Sequence, residues 1–379
     1  MIPLSVPNLS GREIEYVTKC LETGWISTAG EFVSRFESEF AVKLGVDDAV
    51  STVNGTAALH LGLRLLGVEA GDLVVVPNVT FVASANAIKY LGADPVLLDI
   101  DPQSWQMNLD LLERFLKVDC RIDDDQVVRE RISGRRVSAV MAVHVQGHMC
   151  DMTCLTGICD GFGLPLIEDA AEALGATYDG KPAGTFGDIG CFSFNGNKIM
   201  STGGGGMLIS KSATTLEHAR HIATTAKTDP LRYHHDEVGY NYRLVNVLAA
   251  IGVAQLEQLE NFIESKRSIA HLYEKELVGV GDIDFQVSSG LVSPNHWLFT
   301  VTTEKMEELL ATLNNNGVMS RPFWAPMNTL PMYADSTYVH DGDVSRRIHK
   351  KALSIPCSTN LSSNDQWAVI NEIKRFFGG

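Results

Sequence analysis

The residue that draws attention first is Lys198, which ends the run Ile189-Gly190-Cys191-Phe192-Ser193-Phe194-Asn195-Gly196-Asn197-Lys198 and precedes Ser201-Thr202 and four glycines, Gly203 to Gly206. A lysine carried out of a buried strand into a glycine-rich turn is partly desolvated, which favours the neutral amine that condenses with an aldehyde. Glycine-rich turns also arise for purely backbone reasons, so the segment means little alone. Upstream, the apolar run Leu164-Pro165-Leu166-Ile167 ends in Glu168-Asp169-Ala170-Ala171-Glu172. A carboxylate such as Asp169, at a strand end, can pair with a protonated ring nitrogen; its plainer reading is a helix N-cap. In Ser51-Thr52-Val53-Asn54-Gly55-Thr56-Ala57-Ala58-Leu59, small hydrogen-bonding residues precede an alanine-rich helix. There, free N–H groups and the helix dipole favour a phosphate, or simply a cap. Phe81, in Val79-Thr80-Phe81-Val82-Ala83 after the Pro77 turn, offers an apolar face for stacking, or a core side chain. A reactive amine, a ring-nitrogen partner, a phosphate subsite and a stacking face are together what pyridoxal 5′-phosphate (PLP) chemistry requires.

Such groups must be positioned by a scaffold. From about residue 50 to 210, short β-branched runs alternate with amphipathic segments: Leu73 to Pro77, Pro95 to Ile100, Val137 to Val145, Leu164 to Ile167, Ile189 to Phe194 and Met207 to Ile209. This rhythm predicts an α/β domain with a mostly parallel, buried sheet, whose ligands collect at the carboxyl ends of the strands. The polar stretch Lys117 to Arg136 reads as a solvated insertion. Apolar residues at helical spacing from Val245 to Leu272 predict one long helix leading out of the large domain. A strand (His296 to Val301), a helix (Lys305 to Asn314), a stop at Gly317 and a last apolar pattern predict a small C-terminal α+β domain. The expected division is residues 1–245, the large α/β domain, and 246–379, the connecting helix and the small domain.

Composition limits the alternatives. The chain has 379 residues, 45% hydrophobic and 20% charged, with a formal net charge of -15, which disfavours an extended basic groove for nucleic acid. No apolar run approaches the roughly 20 residues that span a bilayer, and no basic segment followed by an apolar one opens the chain, so a cytoplasmic protein is expected. Seven irregularly spaced cysteines read as thiols rather than a disulfide framework. His144, His148, Cys150, Cys154 and Cys159 lie close in sequence, but in a strand-like run and a helix-like stretch rather than in the tight paired loops of zinc sites, so no metal is expected there.

The ordered segments Asn54-Gly55-Thr56-Ala57-Ala58-Leu59, Glu168-Asp169-Ala170-Ala171, Gly184-Thr185-Phe186-Gly187-Asp188-Ile189-Gly190-Cys191-Phe192-Ser193-Phe194, Lys198 and Gly239-Tyr240-Asn241-Tyr242-Arg243 closely resemble the DegT/DnrJ/EryC1/StrS sugar aminotransferases. The resemblance implies an aspartate aminotransferase-like type I PLP fold, a homodimer with shared active sites, L-glutamate as amino donor and a nucleotide-linked keto sugar as acceptor. It implies Lys198 as the Schiff-base lysine and proton shuttle, Asp169 as partner of the ring nitrogen and Phe81 as the stacking residue. Gly55, Thr56 and Ser193 would hold the phosphate, joined by Asn241 from the other subunit; Glu172 stands near the cofactor's phenolic oxygen, where many members have Gln. Arg243, Arg321 and Tyr333 are expected at the substrate, Arg243 as an anion contact. Asn195-Gly196 replaces the family's frequent His-Pro or His-Ala. Together with Gly24-Trp25-Ile26-Ser27 and Arg321-Pro322-Phe323-Trp324, it resembles the subgroup related to legionaminic acid and bacillosamine synthesis, which aminates C4 of UDP-4-keto-6-deoxy-N-acetylglucosamine. The alternatives are a 3-keto sugar aminotransferase and a noncatalytic PLP-sensing regulator. Sugar 3-dehydratases of the family carry histidine where Lys198 stands.

Overall fold

The computed structural model describes residues 1–229 and 231–378. Eight strands form the central sheet, in the order Val50–Thr52, Gly206–Ser210, Ile189–Ser193, Leu166–Asp169, Val137–Val143, Leu73–Pro77, Asp94–Leu98 and Tyr338–Val339. All run parallel except Gly206–Ser210, which is antiparallel to both neighbours. The inner strands are buried along their length, as expected of runs rich in valine and isoleucine covered by helices on both faces. The parallel strands therefore open their carboxyl ends along one edge, where Asn78–Phe81, His144–Gln146, Asp169–Glu172 and Ser193–Lys198 follow one another.

A second, antiparallel sheet takes the order Asp284–Phe285, Phe299–Thr302, Ala352–Ile355 and Arg321–Pro322. Residues of Leu259–Leu277, Met306–Asn315 and Ser363–Phe376 join it in a separate apolar cluster that includes Tyr273, Trp297, Leu309 and Ile370. Packing is shared across the boundary expected at residue 245. The helix Asn246–Glu257 packs on the N-terminal helices Glu13–Thr23 and Glu31–Leu44, and Tyr338–Val339 extends the large sheet.

Two local expectations need correction and one gains detail. The helix from 245 onward is two helices, Asn246–Glu257 and Leu259–Leu277, separated at Gln258 (φ -100°, ψ -4°). The segment 117–136 is largely exposed, as a solvated insertion should be, and within it Cys120–Ile122 and Val128–Glu130 pair as a hairpin that buries Cys120 and Val128. Its acidic run is the turn, in which Asp123 accepts the N–H groups of Asp125 and Val127. No helix follows Asp169, so it is no N-cap; the chain turns through Ala170 and Ala173 instead.

The interior strand Leu166–Asp169 is braced by a buried charge. Glu168, fully buried, accepts N–H groups from Gly184 (2.8 Å), Phe186 (2.7 Å) and Gly187 (2.7 Å), and meets His144 Nε2 at 2.8 Å. Burial alone would push this carboxyl up, but the His144 contact and the backbone donors hold it below the usual range. Breaking a buried pair by removing one partner costs about 3–5 kcal/mol. Glu168→Ala should lower unfolding stability in urea by about that much; a change under about 1 kcal/mol would show that the Gly184–Gly187 turn holds without it.

Candidate active site

The helix Gly55–Leu65 starts at the carboxyl end of Val50–Thr52, and its cap is Asn54, whose side chain accepts the Ala57 N–H at 2.7 Å. First-turn N–H groups have no helical acceptor of their own. Those of Gly55 and Thr56 belong to residues lining a cavity of about 420 Å³ at the strand ends, opposite Ser193. A Cβ on Gly55 would stand 2.7 Å from Ser193 Cβ and 3.3 Å from the Phe192 carbonyl oxygen, so only glycine lets the two turns close into one cradle.

Asp169 and Glu172 enter the same cavity from the turn after Leu166–Asp169. Asp169 Oδ2 accepts the Ser84 hydroxyl at 2.7 Å and Oδ1 the Ala171 N–H at 3.1 Å, while Ser84 is bonded in turn to Thr80 (2.7 Å). Burial raises the Asp169 carboxyl, opposed by the Ser84 hydroxyl, the Ala171 N–H and the nearby Lys198. Glu172 Oε2 accepts the Gln146 N–H at 2.9 Å, and Oε1 lies 3.4 Å from Lys198 Nζ. Burial pushes Glu172 up to about 7, against the pull of Lys198 and the Gln146 N–H. Lys198 Nζ also sits 4.0 Å from the centroid of Trp297, an attractive cation–π placement.

Phe81 lines the cavity, is 54% exposed and lies 6.4 Å (ring centroids) from Trp324, so it is no core side chain. Arg321 and Trp324 line the mouth from the second sheet. The expected residues thus divide. Gly55, Thr56, Phe81, Asp169, Glu172, Ser193, Lys198 and Arg321 converge on one cavity. Asn241 is exposed, in a segment bridged to Thr224, and does not line its own chain's cavity. Arg243 is half-buried and pairs by its backbone with Thr52, beside the helix cap but outside the cavity wall. Tyr333 must be withdrawn from the substrate residues: it is buried in the apolar core, and its hydroxyl is committed to Asn86. Among the histidines and cysteines of residues 144–159, His144 is bound to Glu168, His148 to Ser288 (2.5 Å), and Cys154 and Cys159 sit on the helix Met152–Phe162.

Ser84, Gln146 and Trp297 were not expected at the site. Ser84 had a signal, since it lies three residues beyond Phe81 on one helix face. Gln146 adopts a left-handed backbone (φ 64°) that aims its N–H at Glu172, and Trp297 arrives from the bend before the distant strand Phe299–Thr302; neither leaves a local pattern.

The cavity fits PLP: a glycine-bared cradle at a helix start, an exposed aromatic ring, and a buried carboxylate oriented by a hydroxyl surround one lysine. Fold and cavity define a type I PLP-dependent aminotransferase. Residues 7–374 match the DegT/DnrJ/EryC1/StrS aminotransferase family. The chain is 38% identical to a GDP-perosamine synthase of Vibrio cholerae, covering 100% of this chain and 99% of that one, and 37% identical to a GDP-perosamine synthase of Escherichia coli O157:H7 (99% and 98%). It is similar in structure to a DegT DnrJ EryC1 StrS aminotransferase from Brucella abortus, with TM-score 0.89 and 27% identity over 97% of this chain and 96% of that one. The chain belongs to the DegT/DnrJ/EryC1/StrS family of PLP-dependent sugar aminotransferases.

The high value of Glu172 has a thermodynamic consequence. A carboxyl raised from 4.5 to about 7 in the fold binds a proton there that the unfolded chain does not, so its contribution to stability is largest below 4.5 and is lost as pH rises through 7. In protein stripped of cofactor, melting temperature should therefore fall less between pH 5 and 8 for Glu172→Gln than for wild type. Parallel curves would contradict this.

Proposed function

We propose that the protein moves the amino group of L-glutamate to the keto carbon of a nucleotide-linked sugar, with C4 of UDP-4-keto-6-deoxy-N-acetylglucosamine as the acceptor that the subgroup motifs favour. The observation that carries the reading is the lysine amine held between Glu172 and Trp297 in a cavity that also presents Asp169 and Phe81. When bound, PLP supplies the protonated ring that draws electrons from the substrate carbon. Asp169, its carboxylate oriented by the Ser84 hydroxyl, would face the ring nitrogen and keep it protonated. Lys198 would hold the cofactor through Nζ, and the same amine would move the proton at the reacting carbon. Glu172 faces the same amine and can take or return its proton. The N–H groups of Gly55 and Thr56 and the Ser193 hydroxyl would hold the phosphate, Phe81 would stack on the ring, and Arg321 would pair with the nucleotide's phosphates. Arg243 serves as a further anion contact.

In this reading the protein is a homodimer in which Asn241, exposed on its own chain, completes the neighbour's phosphate site. A second acceptor deserves a place in the assay: the likeness to GDP-perosamine synthases favours a GDP-linked 4-keto hexose. Mass spectrometry of products from a panel of UDP- and GDP-linked 3-keto and 4-keto sugars, with glutamate as donor, decides among them. Amination of the UDP-linked 4-keto sugar is expected. Turnover only of a GDP-linked or a 3-keto acceptor would replace the substrate assignment, and no turnover of any would overturn the catalytic one.

The shared site is tested by complementation. Lys198→Ala and Asn241→Ala should each be inactive alone, and mixing them should restore activity, because one site of each mixed dimer lacks neither residue. If subunits exchange and nothing returns, Asn241 acts within its own chain.

A further inference from the structure

Helix Ala213–Ala223 carries two imidazoles, His218 and His221, three residues apart and therefore on one face. The chain then makes an excursion and returns: Asp236 donates its N–H to the Ala226 carbonyl (3.3 Å), and Tyr240 donates to that of Ile222 (2.6 Å). The return lays Asp236 and Glu237 against the helix. His221 Nε2 is 2.7 Å from Asp236 Oδ1 and 4.0 Å from Glu237 Oε1, and His218 Nε2 is 2.7 Å from that same glutamate oxygen. One ligand atom each from His221, Asp236 and Glu237 lies within 4.8 Å of the others.

These spacings bracket what a small dication needs. A tetrahedral ion bound at about 2.1 Å by nitrogen and oxygen holds its donors about 3.4 Å apart, between the two distances from His221. Two carboxylates neutralise a dication, and the imidazole favours zinc and its neighbours over magnesium or calcium. His218 would act as the outer partner that orients a ligating carboxylate. Arg64, 3.9 Å from the other oxygen of Glu237, leaves Oε1 to the histidines.

We propose that His221, Asp236 and Glu237 form a transition-metal site suited to zinc, with His218 orienting Glu237. None of the four lines the PLP cavity, so the site is separate from the transamination chemistry. Occupancy ties the excursion to the helix and stiffens the approach to Asn241, four residues beyond Glu237.

The test is titration of the tag-free holoenzyme with zinc chloride against a chromophoric chelator. Wild type should take up one zinc per chain. His221→Ala and Glu237→Gln should each weaken that binding by about tenfold or more, as should His218→Ala if it orients the ligand. His271→Ala, an exposed imidazole elsewhere, should bind as wild type. Amide exchange over residues 231–238 should slow with zinc in wild type but not in His221→Ala, with retained PLP absorbance showing that each variant is folded. No stoichiometric uptake by wild type, or equal affinity in His221→Ala, would reduce the cluster to two surface His–carboxylate pairs and overturn the proposal.

Discussion

The site depends on how one negative charge is buried. Glu168 has no solvent, and its carboxylate is satisfied by the backbone of Gly184, Phe186 and Gly187 and by His144. A buried carboxylate without such partners would be untenable. Meeting that demand fixes the turn that feeds Ile189–Ser193, and it locks the end of the neighbouring strand Leu166–Asp169 in register with it. Asp169 follows Glu168 directly, so the bracing charge and the cavity-facing one are set by the same two peptide units. His144 serves the first and also donates its own N–H to the Asp169 carbonyl (3.1 Å).

Around the lysine, two further carboxylates are distinguished by their partners. Asp169 accepts a hydroxyl and an N–H, a polar setting that prepares it to face a cation. Glu172 has one N–H, the lysine and little else, so burial dominates and brings it to about 7. Burial raises both carboxyls. The strained Gln146 backbone, in the left-handed region at φ 64°, is the cost of supplying Glu172 with its N–H, and it is braced by Gln106, which accepts the Val145 N–H.

Much of this was legible in the residues. The strand Leu73–Pro77 falls where its valines predict it, and the site segments follow strand ends as a parallel sheet demands. Lys198, Asp169, Gly55 and Phe81 could be named because each sits in a contiguous motif. What was hidden is long-range or conformational. Trp297 reaches Lys198 from the bend before Phe299–Thr302, and the break at Gln258 interrupts an apolar period that runs straight through it. The hairpin at 120–130 has no apolar period to announce it, and its acidic turn is exposed as its charge suggests while Asp123 orders it by accepting backbone N–H groups. Tyr333 was drawn to the site by its type and consigned to the core by its packing.

The one antiparallel strand of the large sheet also bears on how the chain reaches this state. Because Gly206–Ser210 pairs directly with Ile189–Ser193, the segment bearing Lys198 is the connection of a hairpin, closed by Phe194 N–H to the Gly205 carbonyl and Thr202 N–H to the Phe194 carbonyl (both 2.9 Å). Such closure spans few residues and carries a small entropy loss, whereas the contacts of Asp169 with Ser84 and of Trp297 with the Asn197 carbonyl join stretches far apart in the chain. Order of assembly is thereby written into topology: the lysine arm can form early, as a local unit, and the walls that make its amine selective close over it last.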